Sequence, residues 1–120
     1  MKQASQLRQP ANIVEPIEGC ISYAVKVLGD KWSPLLLREL AKKPTVRFCE
    51  LQEKAGGVNP RTLSERLAKF ESEGIVDKTI FPEMPPRVEY SLTQKGAELI
   101  PILQQMAHWG QKHYSAKTSQ

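Results

Sequence analysis

The amino-acid sequence predicts a mostly α-helical fold with one small β element (α+β). Apolar residues recur at helical spacing in five segments of the 120-residue chain, whereas residues 87–92 alternate between apolar and polar as a half-buried strand does. Glycines and prolines separate these segments. With 40% hydrophobic and 25% charged residues, the composition is that of an ordinary globular domain.

The two ends of the chain are polar, and a short amphipathic helix follows the first of them. Residues 1–17 contain two prolines and predict a flexible N-terminal arm, and residues 115–120 predict a frayed tail. The helix that Gly29 ends has apolar residues at i, i+3, i+4 and i+7, namely Ile21, Ala24, Val25 and Leu28.

A second helix and a short strand come next. Ser33 is expected to cap this helix and Pro34 to occupy its first position, where a missing N–H costs nothing. The helix spans residues 35–41 and ends before Pro44. Residues 45–47 are then expected to form a short strand.

Two helices around a glycine turn form the centre of the sequence. The first spans residues 48–55, and the second runs from a cap at Asn59 to about residue 73. The Gly56–Gly57 pair suits the corner between them, because glycine adopts positive φ without strain. The buried stripe of the second helix has three residues at i, i+4 and i+7: Leu63, Leu67 and Phe70.

A hairpin and a last helix complete the prediction. Residues 76–81 and 87–92 are β-prone, and the proline-rich segment 82–86 between them suits the tip of a hairpin. Thr93 is expected to cap a final helix that reaches about residue 114, in which Pro101 produces a kink.

This order of elements is that of a winged helix-turn-helix domain, expected over residues 18–114. Its helix-turn-helix spans about 48–73 and its wing about 76–92. The second helix of such a unit enters the major groove of DNA and reads bases with its N-terminal residues. The candidate DNA contacts are the polar residues of that helix with its cap, and two basic residues of the wing: Asn59, Arg61, Thr62, Ser64, Glu65, Arg66, Lys69, Lys78 and Arg87.

For any single candidate on the helix, the alternative is an ordinary solvated face that makes no contact with DNA. Arg61 is the best candidate for a guanine contact, and Thr62 for a thymine methyl group or a phosphate. Glu65 either accepts a hydrogen bond from a cytosine amine or holds Arg61 or Lys69 in place. Arg87 either reaches phosphate or the minor groove, or simply solubilises an exposed strand.

The charge and the cysteine content indicate which partners and which cellular compartment suit the protein. Lysine and arginine number 17 against 13 acidic residues, for a formal charge of +4 and a pI near 9.2. This balance suits a polyanion such as DNA, although a merely soluble basic protein shares it. Two cysteines are too few for the disulfide framework of a secreted domain, and no signal peptide or membrane segment is evident. We therefore expect a reduced, soluble, cytoplasmic protein.

Four motifs in order resemble those of the HxlR-type transcriptional regulators. Residues 29–40, GDKWSPLLLREL, are similar to the family pattern GxKWxxxILxxL, and residues 47–51, RFCEL, to RFxEL. Residues 59–67, NPRTLSERL, are similar to the family's recognition helix. Residues 85–96, PPRVEYSLTQKG, are similar to PxRVxYxLTxxG, and the whole resemblance runs from about residue 20 to residue 109.

The resemblance implies a bacterial or archaeal repressor or activator that binds a near-palindromic operator in double-stranded DNA and needs no cofactor. It further implies a homodimer that forms through the N- and C-terminal helices, with a dimerisation helix at about 93–114. The expected interface residues are Ile21, Val25, Leu99, Leu103, Met106 and Trp109. The alternative is that the last helix packs on the first helix of the same chain.

The resemblance also makes Cys20 a candidate redox sensor, because some HxlR-type proteins sense quinones, aldehydes or oxidants through a cysteine just before the first core helix. A thiol at a helix N-terminus has its thiolate favoured by the helix dipole. The alternative is a small, half-buried hydrophobe. Cys49 stands where the family usually has a polar residue, and its role stays open.

Other function classes find little support in the sequence. His108 and His113 have the wrong spacing for one helix face, and no metal site is expected. No nucleophile elbow or phosphate loop is present, so no enzyme is expected. Two rivals remain: a winged-helix adaptor that binds only proteins, and an enzyme or carrier that uses Cys20 as a nucleophile.

Overall fold

The computed structural model describes the backbone of residues 10–118 and the side chains of residues 19–114. The chain divides into two compact units, Met1–Asp30 and Lys31–Gln120. The predicted single domain, residues 18–114, crosses this division, which no change of composition marks in the sequence.

The first unit contains helix α1, Pro10–Leu28. Residues 10–17 are helical, so the predicted flexible arm is wrong for this segment. Ile13 and Ile17 continue the four-residue apolar spacing of the helix towards its start, but Pro16, a residue that usually ends a helix, hides this continuation in the sequence. The remainder of the predicted arm, residues 1–9, lies outside the described residues.

The second unit has the element order of a winged helix-turn-helix domain, as predicted. Its described elements are α2 (Ser33–Leu40), β1 (Val46–Arg47), α3 (Phe48–Lys54), α4 (Pro60–Ser72), β2 (Val76–Phe81), β3 (Arg87–Leu92), α5 (Gln94–Ala97) and α6 (Ile100–Thr118). The prediction of a mostly α-helical fold with a small β wing is therefore confirmed.

The sheet has three antiparallel strands in the order β1-β3-β2, one more than the predicted hairpin. β2 and β3 form the wing, with Phe81 opposite Arg87 near its tip and Lys78 opposite Tyr90. β1 pairs with the other edge of β3, where Val46 also lies opposite Tyr90. The short strand was expected, but its partner depends on residues more than 40 positions away in sequence, beyond the reach of a local pattern.

The core of the second unit is formed by α2, α3, α4 and the inner face of the sheet. The predicted stripe of α4, Leu63, Leu67 and Phe70, is fully buried. Val58 is buried in the corner between α3 and α4, where Gly56 and Gly57 both have positive φ. The other buried apolar residues of this unit are Leu36, Leu37, Leu40, Val46, Leu51, Ala55, Ile75, Val76 and Tyr90.

The start of α2 differs from the prediction by one residue. Trp32 is the N-cap and Ser33 is the first helical residue, with a fully buried side chain. Ser33 is therefore a core position rather than an exposed cap, because α2 turns its N-terminal end into the packed interior.

The predicted single C-terminal helix is two helices. Thr93 caps α5 as expected, its Oγ1 accepting a hydrogen bond of 3.0 Å from the backbone N of Gly96. α5 ends at Ala97, and α6 begins at Ile100 with Pro101 as its second residue. The proline ring would clash with the carbonyl of residue 97, four positions earlier, so Pro101 breaks the helix instead of kinking it.

α6 continues to Thr118, past the expected end near residue 114. Residues 115–118 of the predicted frayed tail are therefore helical, and residues 119–120 lie outside the described residues.

Candidate nucleic-acid interface

The N-terminus of α4 is closed by its predicted cap. The Oδ1 of Asn59 accepts hydrogen bonds from the backbone N of Arg61 at 2.8 Å and of Thr62 at 3.4 Å. The cap and the following Pro60 start the helix at a defined residue, and so set the direction in which every later side chain points. Asn59 thus has a structural task, and its contact with DNA stays a prediction.

Arg61 and Glu65 lie one turn apart on the exposed face of α4. The Nε of Arg61 is 3.6 Å from the Oε2 of Glu65, and the Arg61 side chain is 87% exposed. Of the two readings of Glu65, its position in the unbound chain fits the one in which it orients Arg61. An exposed pair of this kind is weak, so the guanidinium is available to another anion.

The remaining candidates on α4 follow the helical spacing outward from the buried stripe. Ser64 is exposed, whereas Thr62, Arg66 and Lys69 are half-buried on the flank of the helix. This is the arrangement expected of a helix that turns one face inward, and the DNA contacts of these four residues stay predictions.

The wing holds its arginine quite differently. The Nε of Arg87 donates to Glu89 Oε2 at 3.0 Å and its Nη1 donates to Glu83 Oε2 at 2.5 Å. The guanidinium carbon lies 4.0 Å from the centroid of the Phe81 ring. Arg87 was predicted to contact phosphate, and this contact stays a prediction; the structure places two carboxylates against the guanidinium.

Lys78 is the second cation of the wing. Its side chain is exposed, and it forms no ion pair with the residues that the structure describes. It lies opposite Tyr90 and therefore on the other face of the hairpin from Arg87.

Glu39 and Glu50 are two ion-paired residues that the sequence analysis did not single out. Glu39 is 5% exposed and accepts hydrogen bonds from Arg38 at 3.1 Å and Lys42 at 3.0 Å. Burial alone would raise the pKa of Glu39, but the hydrogen bonds and charges of Lys42 and Arg38 outweigh it and lower the pKa. The sequence gives one indication that Glu39 is buried, which is its position between Leu37 and Leu40 on the buried side of α2.

Glu50 explains the acidic position of the RFCEL motif. Its Oε1 accepts a hydrogen bond of 3.0 Å from the backbone N of Arg47, and Oε2 accepts one of 2.5 Å from Lys43 Nζ. The bond from Arg47 is the main reason why the pKa of Glu50 is lowered, and Lys43 adds to it. The carboxylate closes the start of α3, so this residue supports the fold of the helix-turn-helix.

The expected interface residues divide into exposed and half-buried sets. Ile21 and Val25 on α1 are exposed, and so are Met106 and Trp109 on α6. The other two, Leu99 and Leu103, are half-buried, and Leu103 lines a groove of about 500 Å³ between α6 and Leu35 of α2.

α6 therefore has two apolar faces. One, with Leu103, faces α2, while the other presents Trp109 and Ile102 to solvent. Met106 borders both, because it is 48% exposed and also lines the groove. Trp109 is 69% exposed. Its one aromatic contact among the described residues is with the ring of His113, and the two ring centroids lie 4.9 Å apart. Exposed apolar side chains that form one contiguous patch, unlike single ones, are typical of an interaction site.

The position of Cys20 corrects one premise of the sensor hypothesis. Cys20 is exposed, but it lies ten residues after Pro10, where α1 begins. The dipole of a helix acts within its first and last turns, so it does not act on Cys20. Cys49 is exposed as the second residue of α3, and both cysteines, which fall within the described side chains, are free thiols.

Within the described part of the chain, no three His, Cys, Asp or Glu side chains form a group that could hold a metal ion. Over the same residues, none of the helices is both long and apolar enough to cross a membrane.

A helix pair around a glycine corner, followed by a β wing, defines the class of winged helix-turn-helix proteins. A family model described as HxlR-like helix-turn-helix matches residues 27–118. The chain belongs to this family, as its four motifs predicted.

Proteins of similar sequence are named transcriptional regulators. The chain is 38% identical over 91 residues to an uncharacterised HTH-type transcriptional regulator of Halalkalibacterium halodurans. The matched region covers 76% of this chain and 80% of that protein. The chain is 39% identical over 95 residues to another of Methanothermobacter thermautotrophicus, covering 79% of this chain and 72% of that protein. The family and these relatives are those of transcriptional regulators, which are generally not enzymes.

Similar solved structures include regulators studied in different redox forms. The reduced form of the redox regulator HypR is 32% identical, with a TM-score of 0.75 and coverage of 83% of this chain and 98% of that one. The diamide-treated YodB from Bacillus subtilis is 33% identical, with a TM-score of 0.65 and coverage of 77% of this chain and 90% of that one.

Proposed function

We propose that this chain regulates transcription in the cytoplasm by binding an operator in double-stranded DNA as a homodimer, with α4 in the major groove and no catalytic step of its own. The observation that carries the proposal is the orientation of α4. Its stripe is buried while Arg61 is almost fully exposed at the end of the helix that reads bases in this class of protein. A basic chain of charge +4 supports attraction to the DNA backbone.

A binding measurement with two charge-matched variants tests this proposal. A duplex is first selected from a random-sequence pool with the wild-type protein. Arg61→Gln removes one positive charge and should weaken binding to this duplex by about tenfold to hundredfold, since a bidentate guanine contact is worth ~1–3 kcal/mol. Gln111→Glu changes the net charge by the same amount on α6 and should weaken binding by about threefold or less.

The possible outcomes separate DNA binding from the adaptor hypothesis. Enrichment of no sequence from the pool would leave a winged helix used for protein contacts as the better account. Equal losses for the two variants would mean that Arg61 acts only through net charge.

The exposed apolar face of α6 supports the dimer. Ile102, Met106 and Trp109 lie within one stripe of α6, and Ile21 and Val25 are exposed on α1. One module reads only a few base pairs, whereas a dimer reads two half-sites about 34–36 Å apart or a multiple of that distance. Covering these side chains with a second copy removes them from water.

Light scattering of variants tests the dimer. Trp109→Glu should convert the dimer to monomers, because it buries an unpaired charge in the interface. Gln111→Glu, at ~200° from Trp109 around α6, introduces the same side chain and should leave the dimer intact. A wild-type protein that is monomeric at micromolar concentration would contradict the homodimer.

An oxidant or electrophile acting at Cys20 is the effector that we propose. Cys20 is exposed to solvent, and the similar structures include a redox regulator and a diamide-treated regulator. Sensitivity to oxidants follows thiolate character and access, and access is the property that Cys20 has.

Treatment with diamide and glutathione tests this effector, because diamide, itself reduced to the hydrazine, joins the Cys20 thiol and the glutathione thiol in a mixed disulfide. The DNA affinity of the wild type and of Cys49→Ser should change on treatment, while that of Cys20→Ser should not. The reverse pattern would transfer the sensor to Cys49. Equal behaviour of all three proteins would remove the redox effector.

A further inference from the structure

The wing arginine is held by two carboxylates, and we propose that one of them, Glu83, competes with DNA phosphate for Arg87 and so limits the contribution of the wing to binding. The proposal rests on the proposed function, since it concerns the affinity for DNA. According to this proposal, Glu83 determines how strongly the wing binds the phosphate backbone of DNA.

The geometry leaves Arg87 with little unoccupied surface. Glu89 takes the Nε edge of the guanidinium, Glu83 takes Nη1, and the ring of Phe81 covers one face. The Arg87 side chain is 26% exposed as a result. Nε and Nη1 each belong to one of the two edges through which a guanidinium binds phosphate in bidentate fashion, so a phosphate that binds either edge has to replace one of these carboxylates.

The two carboxylates are not equivalent. Glu89 is 21% exposed and lies on β3, two residues from Arg87 and on the same face of the strand. Glu83 is 50% exposed and lies in the connection between β2 and β3. Phe81, opposite Arg87 across the hairpin, and Glu89 thus fix the arginine, while Glu83 is the partner that solvent and phosphate reach.

The net charge of the Arg87 cluster determines how the wing interacts with phosphate. One guanidinium with two carboxylates carries a net charge of −1, so the cluster repels a phosphate backbone. Lys78 on the other face has no such partner among the described residues. The wing therefore meets DNA with one available cation and one that has to be released from Glu83.

A double-mutant cycle on the selected duplex tests the competition. Glu83→Gln should tighten binding about threefold to fivefold, because it frees Nη1 and removes a negative charge. The salt dependence should become steeper by about one power of salt, since Arg87 then neutralises a phosphate. In an Arg87→Gln background the same Glu83→Gln change should alter affinity by less than about twofold.

Asp77→Asn is the matched control for charge. Asp77 is exposed on β2, on the same face as Phe81 but four residues away along the strand. Its replacement removes one negative charge without touching Arg87, and should change affinity by about twofold or less. Circular dichroism and thermal unfolding establish that each variant keeps the fold.

The outcomes distinguish this inference from the proposed function. A wild type that selects no duplex overturns DNA binding itself. If the wild type binds and Glu83→Gln has the same effect with and without Arg87, Glu83 acts through overall charge and the competition is wrong. An unchanged affinity and salt dependence for Glu83→Gln would overturn it equally.

Discussion

Helix α4 and the wing present their arginines in opposite ways. Arg61 extends into solvent beside one carboxylate, while Arg87 lies between two carboxylates and an aromatic ring. On α4 the buried stripe fixes the direction of every other side chain at 100° per residue. On the hairpin, the state of a side chain depends on what the neighbouring strand and the connection place beside it. Helical spacing therefore predicts the exposure of Arg61, whereas the exposure of Arg87 depends on which side chains lie beside it.

The largest expected effect comes from removing the anchor of α4. Leu67→Ala should lower the free energy of unfolding by about 2–5 kcal/mol, since it leaves a cavity in a fully packed core. Urea denaturation followed by circular dichroism measures it. Ala68→Ser, at the adjacent exposed position, should change stability by less than about 0.5 kcal/mol. A loss below about 1 kcal/mol for Leu67→Ala would mean that α4 is not held by its stripe.

Removal of the cap should have a smaller effect on the same helix. Asn59→Ala leaves the N–H groups of Arg61 and Thr62 without their acceptor and should cost about 1 kcal/mol of stability. Asn59→Ser keeps an acceptor oxygen and should stay within a few tenths of a kcal/mol of the wild type. Equal losses for both variants would point to a role of the asparagine other than capping.

The two faces of the wing are compared by the salt dependence of DNA binding. Lys78→Gln should reduce the slope of log affinity against log salt by about one, because an unpaired lysine neutralises a phosphate. Arg87→Gln should reduce it by less than about half a unit, since Glu83 and Glu89 already neutralise this arginine. The opposite ranking would show that DNA displaces both carboxylates.

The smallest effect is expected at Glu39, whose ion pairs support the fold away from the wing. The folded-state pKa of Glu39 is lowered, so its contribution is present above the ordinary value of 4.5 and is lost as the pH falls through the folded value. Glu39→Gln should reduce stability by about 0.5–1 kcal/mol near pH 7, as Arg38 and Lys42 are largely in solvent. Thermal unfolding of both proteins from neutral to acid pH should show this difference vanish at acid pH; a constant difference would contradict it.

Local signals were sufficient for the helix-turn-helix. The Asn59 cap, the Gly56–Gly57 corner and the stripe that ends at Phe70 each depend on a few adjacent residues, and all three are found in the structure. Such features are encoded by dihedral preference and helical period, which a single sequence displays directly.

Features that depend on more than dihedral preference and helical period could not be predicted. The pairing of β1 with β3 and the two carboxylates at Arg87 depend on the path of the chain around the wing. The helical start of α1 was missed because Pro16 outweighs the apolar spacing around it, and with it the position of Cys20 inside that helix. Pro101 was recognised, but the sequence alone does not distinguish a kink from a break, because the clash of a proline ring with the preceding turn produces either.

The pairing of β1 also limits how this protein can vary and move. β1 ends at Arg47 and α3 begins at Phe48, so the strand bonded to the wing passes into the first helix of the helix-turn-helix without an intervening residue. A residue inserted at this junction would either displace α3 or shift the pleat of β1 and turn Val46 out of the interior. Added length in the connection of residues 82–86 meets no such obstacle. The tip of the wing can therefore change in length without moving α3, whereas the junction of β1 and α3 cannot take an added residue without disturbing one of the two.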